Sequence, residues 1–168
     1  TFTNKFGDIS SKSVIILGLG GAGKAVASYF SNSSKSTVII SRSKRDEKYA
    51  EKIGAKWCNW LDFDVFCKNV DIVINCTSIG YGDQIESSPL NENQILNLKA
   101  SIVFDIIYDP LKTKLLQIAE RKGLQIYNGL EMNLEQAVLA YKYASKPYGS
   151  QKNIRKIMLK SIEKKNEK

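Results

Sequence analysis

The chain has 168 residues, 43% of them hydrophobic and 25% charged, a balance that suits one soluble globular domain with a substantial core. It contains no histidine, which excludes within these residues a His-based zinc site, a Ser-His-Asp triad and a histidine proton shuttle. The net charge of +8 does not mark a binding face spread over the fold, because from Lys142 onward nine Lys or Arg stand against two Glu. That concentration reads as a solvated C-terminal helix and tail, not as a nucleic-acid surface.

No apolar run approaches the roughly 20 residues that span a bilayer, and no signal-peptide pattern opens the chain. Cys58, Cys67 and Cys76 are an odd number without metal-ligand spacing, as expected of buried thiols in a reduced, cytoplasmic protein. The sequence starts at Thr1 and not at Met, so it is expected to be a piece of a longer protein.

Taken in order, residues 1–12 are polar and read as a connector. Val14-Ile15-Ile16-Leu17 is an apolar run of the kind buried on both faces of a parallel sheet. It leads directly into Gly18-Leu19-Gly20-Gly21-Ala22-Gly23 and then into a helix over about 22–30. Gly18 suits the tight turn out of the strand, Gly20 leaves room for a pyrophosphate against the backbone, and Gly23 lets helix and strand pack closely. The unpaired N–H groups and positive dipole end of that helix would face the phosphates.

A β-branched strand follows at Thr37–Ile40, with a short helix from Asp46 to Ile53 that stops at Gly54. Ala55–Cys58 is a weaker strand, and Leu61–Cys67 a short helix. Asp71–Asn75 is a buried strand, followed by a polar loop reaching Pro89. Ser101–Asp105 is the next strand. Thr113–Lys122 has helical spacing, Thr113 suits its N-cap and Gly123 its end. Leu124–Tyr127 is a last short strand. A helix runs from about Met132 to Tyr141, and Ile154, Ile157, Met158 and Ile162 form an apolar stripe on a basic amphipathic helix.

Strands alternating with helices predict an α/β fold, a doubly wound parallel sheet of about six strands of the Rossmann kind, plus the C-terminal helix. The expected division is a connector at 1–12, a nucleotide-binding domain at 13–147 and a basic tail at 148–168. Ligands in such sheets lie beyond the carboxyl ends of the strands, which selects 18–23, 41–45, 76–82, 106–110 and 128–132 as one rim. An NAD-binding domain usually places an acid about 20 residues after the glycine turn. Here the second strand ends in Ser41-Arg42-Ser43-Lys44-Arg45, with no carboxylate before Asp46. Hydroxyls and guanidinium groups suit a 2′-phosphate, so the expected cofactor is NADP(H), held by Ser41, Arg42 and Ser43 with Lys44 or Arg45 in support.

Further stretches resemble one family. Asn75-Cys76-Thr77-Ser78-Ile79-Gly80 is similar to the Asn-Ala-Thr-Ser/Pro-x-Gly loop of shikimate dehydrogenases. Asp105-Ile106-Ile107-Tyr108-Asp109-Pro110-Leu111-Lys112-Thr113-Lys114-Leu115-Leu116 resembles their Asp-x-x-Tyr-x-Pro-x-x-Thr-x-Leu-Leu element. Gly129-Leu130-Glu131-Met132 through Gln136-Ala137 resembles their Gly-x-x-Met-x-x-x-Gln-Ala helix start. The glycine turn and Ser41-Arg42-Ser43 resemble two more family elements, and all five occur in the family's order. The chain departs from the pattern at Tyr141-Lys142-Tyr143, where the family usually has Phe-x-x-Trp, and at Tyr81, where Met or Leu is common.

The glycine turn and the basic run make Gly18, Gly20, Gly21, Ala22, Gly23, Ser41, Arg42, Ser43 and Arg45 the residues expected to hold the nucleotide, and the resemblance implies further roles. Thr77, Ile107, Gly129 and Met132 would flank the nicotinamide. Tyr108 and Gln136 would reach shikimate, one near its carboxylate and one near a ring hydroxyl. Asp105 and Thr113 are expected to serve local structure. In that family a Lys–Asp pair in an N-terminal substrate domain moves the proton, and neither of its motifs, Asn-Val-Thr-x-Pro-x-Lys and Asn-Thr-Asp, occurs here.

The parent protein is therefore expected to interconvert 3-dehydroshikimate and shikimate with NADPH/NADP, and this chain alone to be inactive, its catalytic N-terminal domain missing. Its expected partners are that domain and the small-molecule substrate, with no nucleic acid and no membrane. By the same resemblance, the C-terminal helix would fold back on the missing domain. The alternatives are a quinate/shikimate dehydrogenase relative, a stand-alone NADP-binding regulatory module and, resting only on the tail, a nucleic-acid binder.

Overall fold

The structure, a computed structural model, describes residues 7–144 and 150–166, apart from the side chains of 151 and 162–166. Part of the expected connector, the expected boundary at 147/148 and the Ile162 side chain lie outside the described residues. The chain forms two compact units, Thr1–Asn128 and Gly129–Lys168.

In the first unit β1 (Ser13–Leu17), β2 (Ser36–Ser41), β3 (Lys56–Asn59), β4 (Ile72–Asn75), β5 (Ile102–Asp105) and β6 (Gln125–Tyr127) form one parallel sheet. Its spatial order is β3-β2-β1-β4-β5-β6, the doubly wound arrangement expected from the alternating pattern. The central strands are buried along most or all of their length because helices cover both faces, which is why they read as unbroken apolar runs.

Helix α1 (Gly21–Ser33) buries Val26, Ala27 and Phe30 at a spacing that keeps one stripe on the sheet. Helices α2 (Asp46–Lys52), α3 (Phe63–Phe66) and α4 (Glu92–Asn97) are short. Helix α5 (Lys114–Arg121) buries Leu115, Leu116, Ile118 and Ala119, each of the three larger side chains contributing roughly 2 kcal/mol by leaving water. Thr113 caps α5 as expected, accepting from the Leu116 N–H.

Two local differences from the sequence pattern have clear causes. The expected helix over 61–67 is divided into a 3-10 turn at Trp60–Asp62, α3 and a second turn at Cys67–Asn69. Helix α4 lies where the sequence pattern predicts no element. Its Asn91 accepts from the Gln94 N–H while Gln94 reaches back to the Asn91 N–H, a capping box written as Asn-x-x-Gln in the sequence.

The second unit pairs α6 (Leu130–Ala144) with α7 (Gln151–Asn166). Leu134 and Val138 of α6 pack with Ile154, Met158 and Leu159 of α7, and Arg155 Nε donates to Glu135 Oε1 at 2.6 Å. The expected stripe is thus partly corrected: Ile154 and Met158, one turn apart, face α6, Leu159 joins them, and Ile157 is 66% exposed.

Candidate functional site

The order of the sheet reverses between β1 and β4, and this is where the chain opens a cleft. Leu17 pairs with Asn75, so the two strands end side by side. Gly18 then turns with φ +86, and a side chain there would stand 2.8 Å from Thr77 Cγ2. Its N–H donates to the Ile40 carbonyl and the Cys76 N–H to the Leu17 carbonyl, each at 2.8 Å. Gly20 and Gly21 face open space, where an added Cβ would meet nothing within 4 Å among the described residues. Gly20 supplies no side-chain cap to α1 and the first turn holds no acid, so the helix's leading N–H groups are left for a ligand.

Beneath the β4 and β5 ends lies a buried polar network. Asp105 Oδ1 accepts from Asn75 Nδ2 at 3.0 Å and from the Ile107 N–H at 3.1 Å, and its Oδ2 accepts from Thr113 Oγ1 at 2.7 Å. Asn75 Oδ1 in turn accepts from the Thr77 N–H at 3.0 Å and from its hydroxyl at 2.7 Å. Thr77 Oγ1 then takes the Ile79 N–H at 3.2 Å. Two loops of the cleft are therefore tied to one carboxylate. Burial pushes the Asp105 carboxyl up to about 6 despite its three donors. Burial, with the Asp105 charge beside it, pushes the Cys76 thiol up as well, so this cysteine is no nucleophile.

At the β2 end the polar side chains are arranged differently. Ser41 is buried; its Oγ accepts from Trp57 Nε1 at 2.9 Å and donates to Asp46 Oδ2 at 2.6 Å. A hydroxyl has one proton, and here the short bond to Asp46 commits it. Arg42 and Ser43 are exposed and remain the donors facing the cleft.

Of the residues expected at the nucleotide, Gly18, Gly20, Gly21, Ala22, Ser41, Arg42, Ser43, Thr77 and Ile107 line one cleft of about 970 Å³, and Tyr108 lies on the same wall. Gly23 lies behind this wall, packed on the Gly18 backbone, and Arg45 is exposed outside it. Gly129, Met132 and Gln136 belong to the second unit, Gly129 just before α6 and the other two on it. Sequence reasoning missed Asp46, Trp60, Gln84 and Pro89, which also line the cleft, whereas Tyr81 falls in the expected rim segment 76–82. Trp60 follows β3 and would have been found by applying the strand-end rule to that strand too. Among the described residues no group of three or more His, Cys, Asp or Glu could hold a metal ion, and no helix is long and apolar enough to cross a membrane.

The sheet order, the switch-point cleft and the glycine turn define a doubly wound, dinucleotide-type α/β domain. The family model for shikimate / quinate 5-dehydrogenase matches residues 2–107, and the chain belongs to that family. It is 33% identical over 158 residues to the shikimate dehydrogenase (NADP(+)) of Pyrococcus abyssi, covering 94% of this chain and 58% of that protein. The crystal structure of shikimate dehydrogenase 1 from Peptoclostridium difficile superposes with a TM-score of 0.80 at 25% identity, covering 98% of this chain and 58% of that one. The Listeria monocytogenes shikimate 5-dehydrogenase, in complex with shikimate and NAD, superposes with a TM-score of 0.74 at 26% identity, covering 94% and 59%. The chain thus spans a little over half the length of these relatives.

Proposed function

We propose that this chain is the NADP-binding part of a shikimate dehydrogenase, the oxidoreductase that interconverts 3-dehydroshikimate and shikimate with NADPH/NADP. The observation that carries the reading is the open backbone at Gly20 and Gly21, before an uncapped helix, in one cleft with Arg42 and Tyr108. The fit is chemical: N–H groups without acid for a pyrophosphate, and a guanidinium with a serine hydroxyl for a 2′-phosphate. When bound, the nicotinamide of NADP(H) exchanges the hydride. Thr77 and Ile107, fixed through Asn75 and Asp105, shape the wall against it, and Tyr108 holds out a phenol for the substrate.

Gly129 and Met132 beside the nicotinamide and Gln136 on a ring hydroxyl enter this reading from the family resemblance, and Arg45 in support of Arg42 enters it from the basic run after β2. The division into a nucleotide-binding domain at 13–147 and a basic tail at 148–168 enters it from the order of elements and the charge distribution in the sequence. The proton of the substrate hydroxyl also needs a group to move it. In this reading that group belongs to a substrate domain of the kind the longer relatives have room for, and the chain by itself binds nucleotide without turnover.

Fluorescence titration of the chain tests this. NADPH should bind more tightly than NADH, and Arg42→Ala should weaken NADPH roughly 30-fold while changing NADH little, the scale of lost charge-assisted bonds. Equal affinity for the two nucleotides would defeat the NADP assignment, and shikimate oxidation by the isolated chain would defeat the division of labour.

A further inference from the structure

We propose that Asp46 limits the preference of this cleft for a 2′-phosphorylated nucleotide, acting as a specificity-determining residue opposed to Arg42. The proposal rests on the nucleotide-binding reading above and deepens it. Doubly wound domains use one of two devices beyond the second strand: an acid that accepts from the ribose hydroxyls, or an Arg that receives a 2′-phosphate. Both line this cleft, Arg42 directly after β2 and Asp46 at the start of α2.

The carboxylate is held in place. Trp57 of β3 donates to Ser41 of β2 at 2.9 Å, and Ser41 donates to Asp46 Oδ2 at 2.6 Å, a chain of two bonds that ties three elements together. Asp46 Oδ1 has no hydrogen-bond partner, and Asp46 forms no ion pair with Arg42, Lys44 or Arg45, among the described residues. Among the described residues no basic side chain neutralises its negative charge. It also cannot turn away from an arriving anion without breaking its short bond to Ser41.

Two consequences follow for a nucleotide in the cleft. An unphosphorylated ribose finds an acceptor in Oδ1. A 2′-phosphate finds the Arg42 guanidinium and also a fixed like charge, so it binds less tightly than Arg42 alone would allow. The preference for NADPH over NADH is the difference between these two effects, and Asp46 acts on both sides of it.

The test is a double-mutant cycle on the full chain, reading NADPH and NADH affinity by fluorescence titration. Asp46→Asn keeps the shape and an oxygen for Ser41 but removes the charge. It should tighten NADPH about tenfold and weaken NADH about threefold. Ser41→Ala, which releases the carboxylate without removing it, should move both affinities in the same directions by less. In the Arg42→Ala background, Asp46→Asn should still tighten NADPH, since the repulsion does not need the guanidinium. A preference for NADPH that neither Asp46→Asn nor Ser41→Ala shifts would overturn this proposal and leave the dehydrogenase reading standing. Failure of both nucleotides to bind the unaltered chain would sink the two together.

Discussion

Gly23→Ala should destabilise the chain by about 3 kcal/mol and abolish measurable nucleotide binding, whereas Gly20→Ala should abolish binding at little cost to stability. A Cβ on Gly23 would lie 2.5 Å from the Gly18 carbonyl oxygen, 3.2 Å from the Gly18 carbonyl carbon and 3.4 Å from Cys76 Cβ. The obstructing atoms are backbone in the turn that Gly18 makes, so no side chain can rotate to relieve them. α1 would have to lift away from β1 and carry its leading N–H groups with it. At Gly20 the same methyl meets nothing within 4 Å among the described residues. Its fold cost is limited to the difference between Gly and Ala at an N-cap, no more than about 1 kcal/mol, and its effect on binding comes from filling the space a pyrophosphate needs. Urea denaturation alongside NADPH titration separates the two variants. Equal stability of Gly23→Ala and Gly20→Ala would show that the glycines share one role and that the close β1–α1 approach is unimportant.

The contrast between these glycines is legible in the sequence, because the Gly-x-Gly-x-x-Gly spacing between an apolar run and a helical pattern assigns each one a different task. The sheet was readable for a similar reason: strands buried on both faces appear as unbroken runs such as Val14–Leu17 and Ile72–Asn75. What stayed hidden depends on partners distant in sequence. Nothing near Ser41 announces that Trp57, sixteen residues on, will occupy its oxygen, or that Asp46 will take its proton. A local reading therefore makes Ser41 a phosphate donor, while the fold makes it the post that holds a carboxylate. α4 was lost for another reason. Its six residues carry too little periodicity to be seen, and only the Asn91–Gln94 reciprocal cap marks it.

The C-terminal helix shows how a stripe can be right in kind and wrong in detail. Ile154, Ile157 and Met158 all fit an amphipathic pattern, but packing onto α6 takes up Ile154 and Met158 and leaves Ile157 largely in water. Hydrophobic periodicity gives the width of the apolar face. Which part of that width is covered depends on the position of the neighbouring helix, here fixed further by the Arg155–Glu135 pair.

Asp105→Asn should remove a stabilisation that the unaltered chain gains on acidification, and Asp105→Ala should cost about 3 kcal/mol at pH 7. Asp105 is fully buried and its carboxyl is raised from 3.8 to about 6. In the unfolded chain the group returns to its ordinary range, so between those values the folded state binds the proton and the unfolded state does not. The resulting stabilisation is fully present below about pH 4, amounts to roughly 2 kcal/mol at pH 4.5, and is gone above pH 7. This is opposite in sign to an aspartate whose ion pairs or hydrogen bonds lower its pKa, because here desolvation outweighs the donors.

The stability difference between the unaltered chain and Asp105→Asn, from urea melts, should therefore be about 2 kcal/mol larger at pH 4.5 than at pH 7.5. A difference independent of pH would mean that Asp105 titrates normally. The alanine variant tests the network itself. It leaves Asn75 Nδ2, the Ile107 N–H and the Thr113 hydroxyl without their acceptor, and each orphaned donor costs about 1–3 kcal/mol, partly offset by relief of the buried charge. Because Asn75 carries the same network on to Thr77, and Ile107 leads into Tyr108, Asp105→Ala should also loosen both loops of the cleft wall. Faster amide exchange at Thr77, Ile79 and Ile107 would report that loosening at residues that never touch the substituted side chain as well as at the one that does.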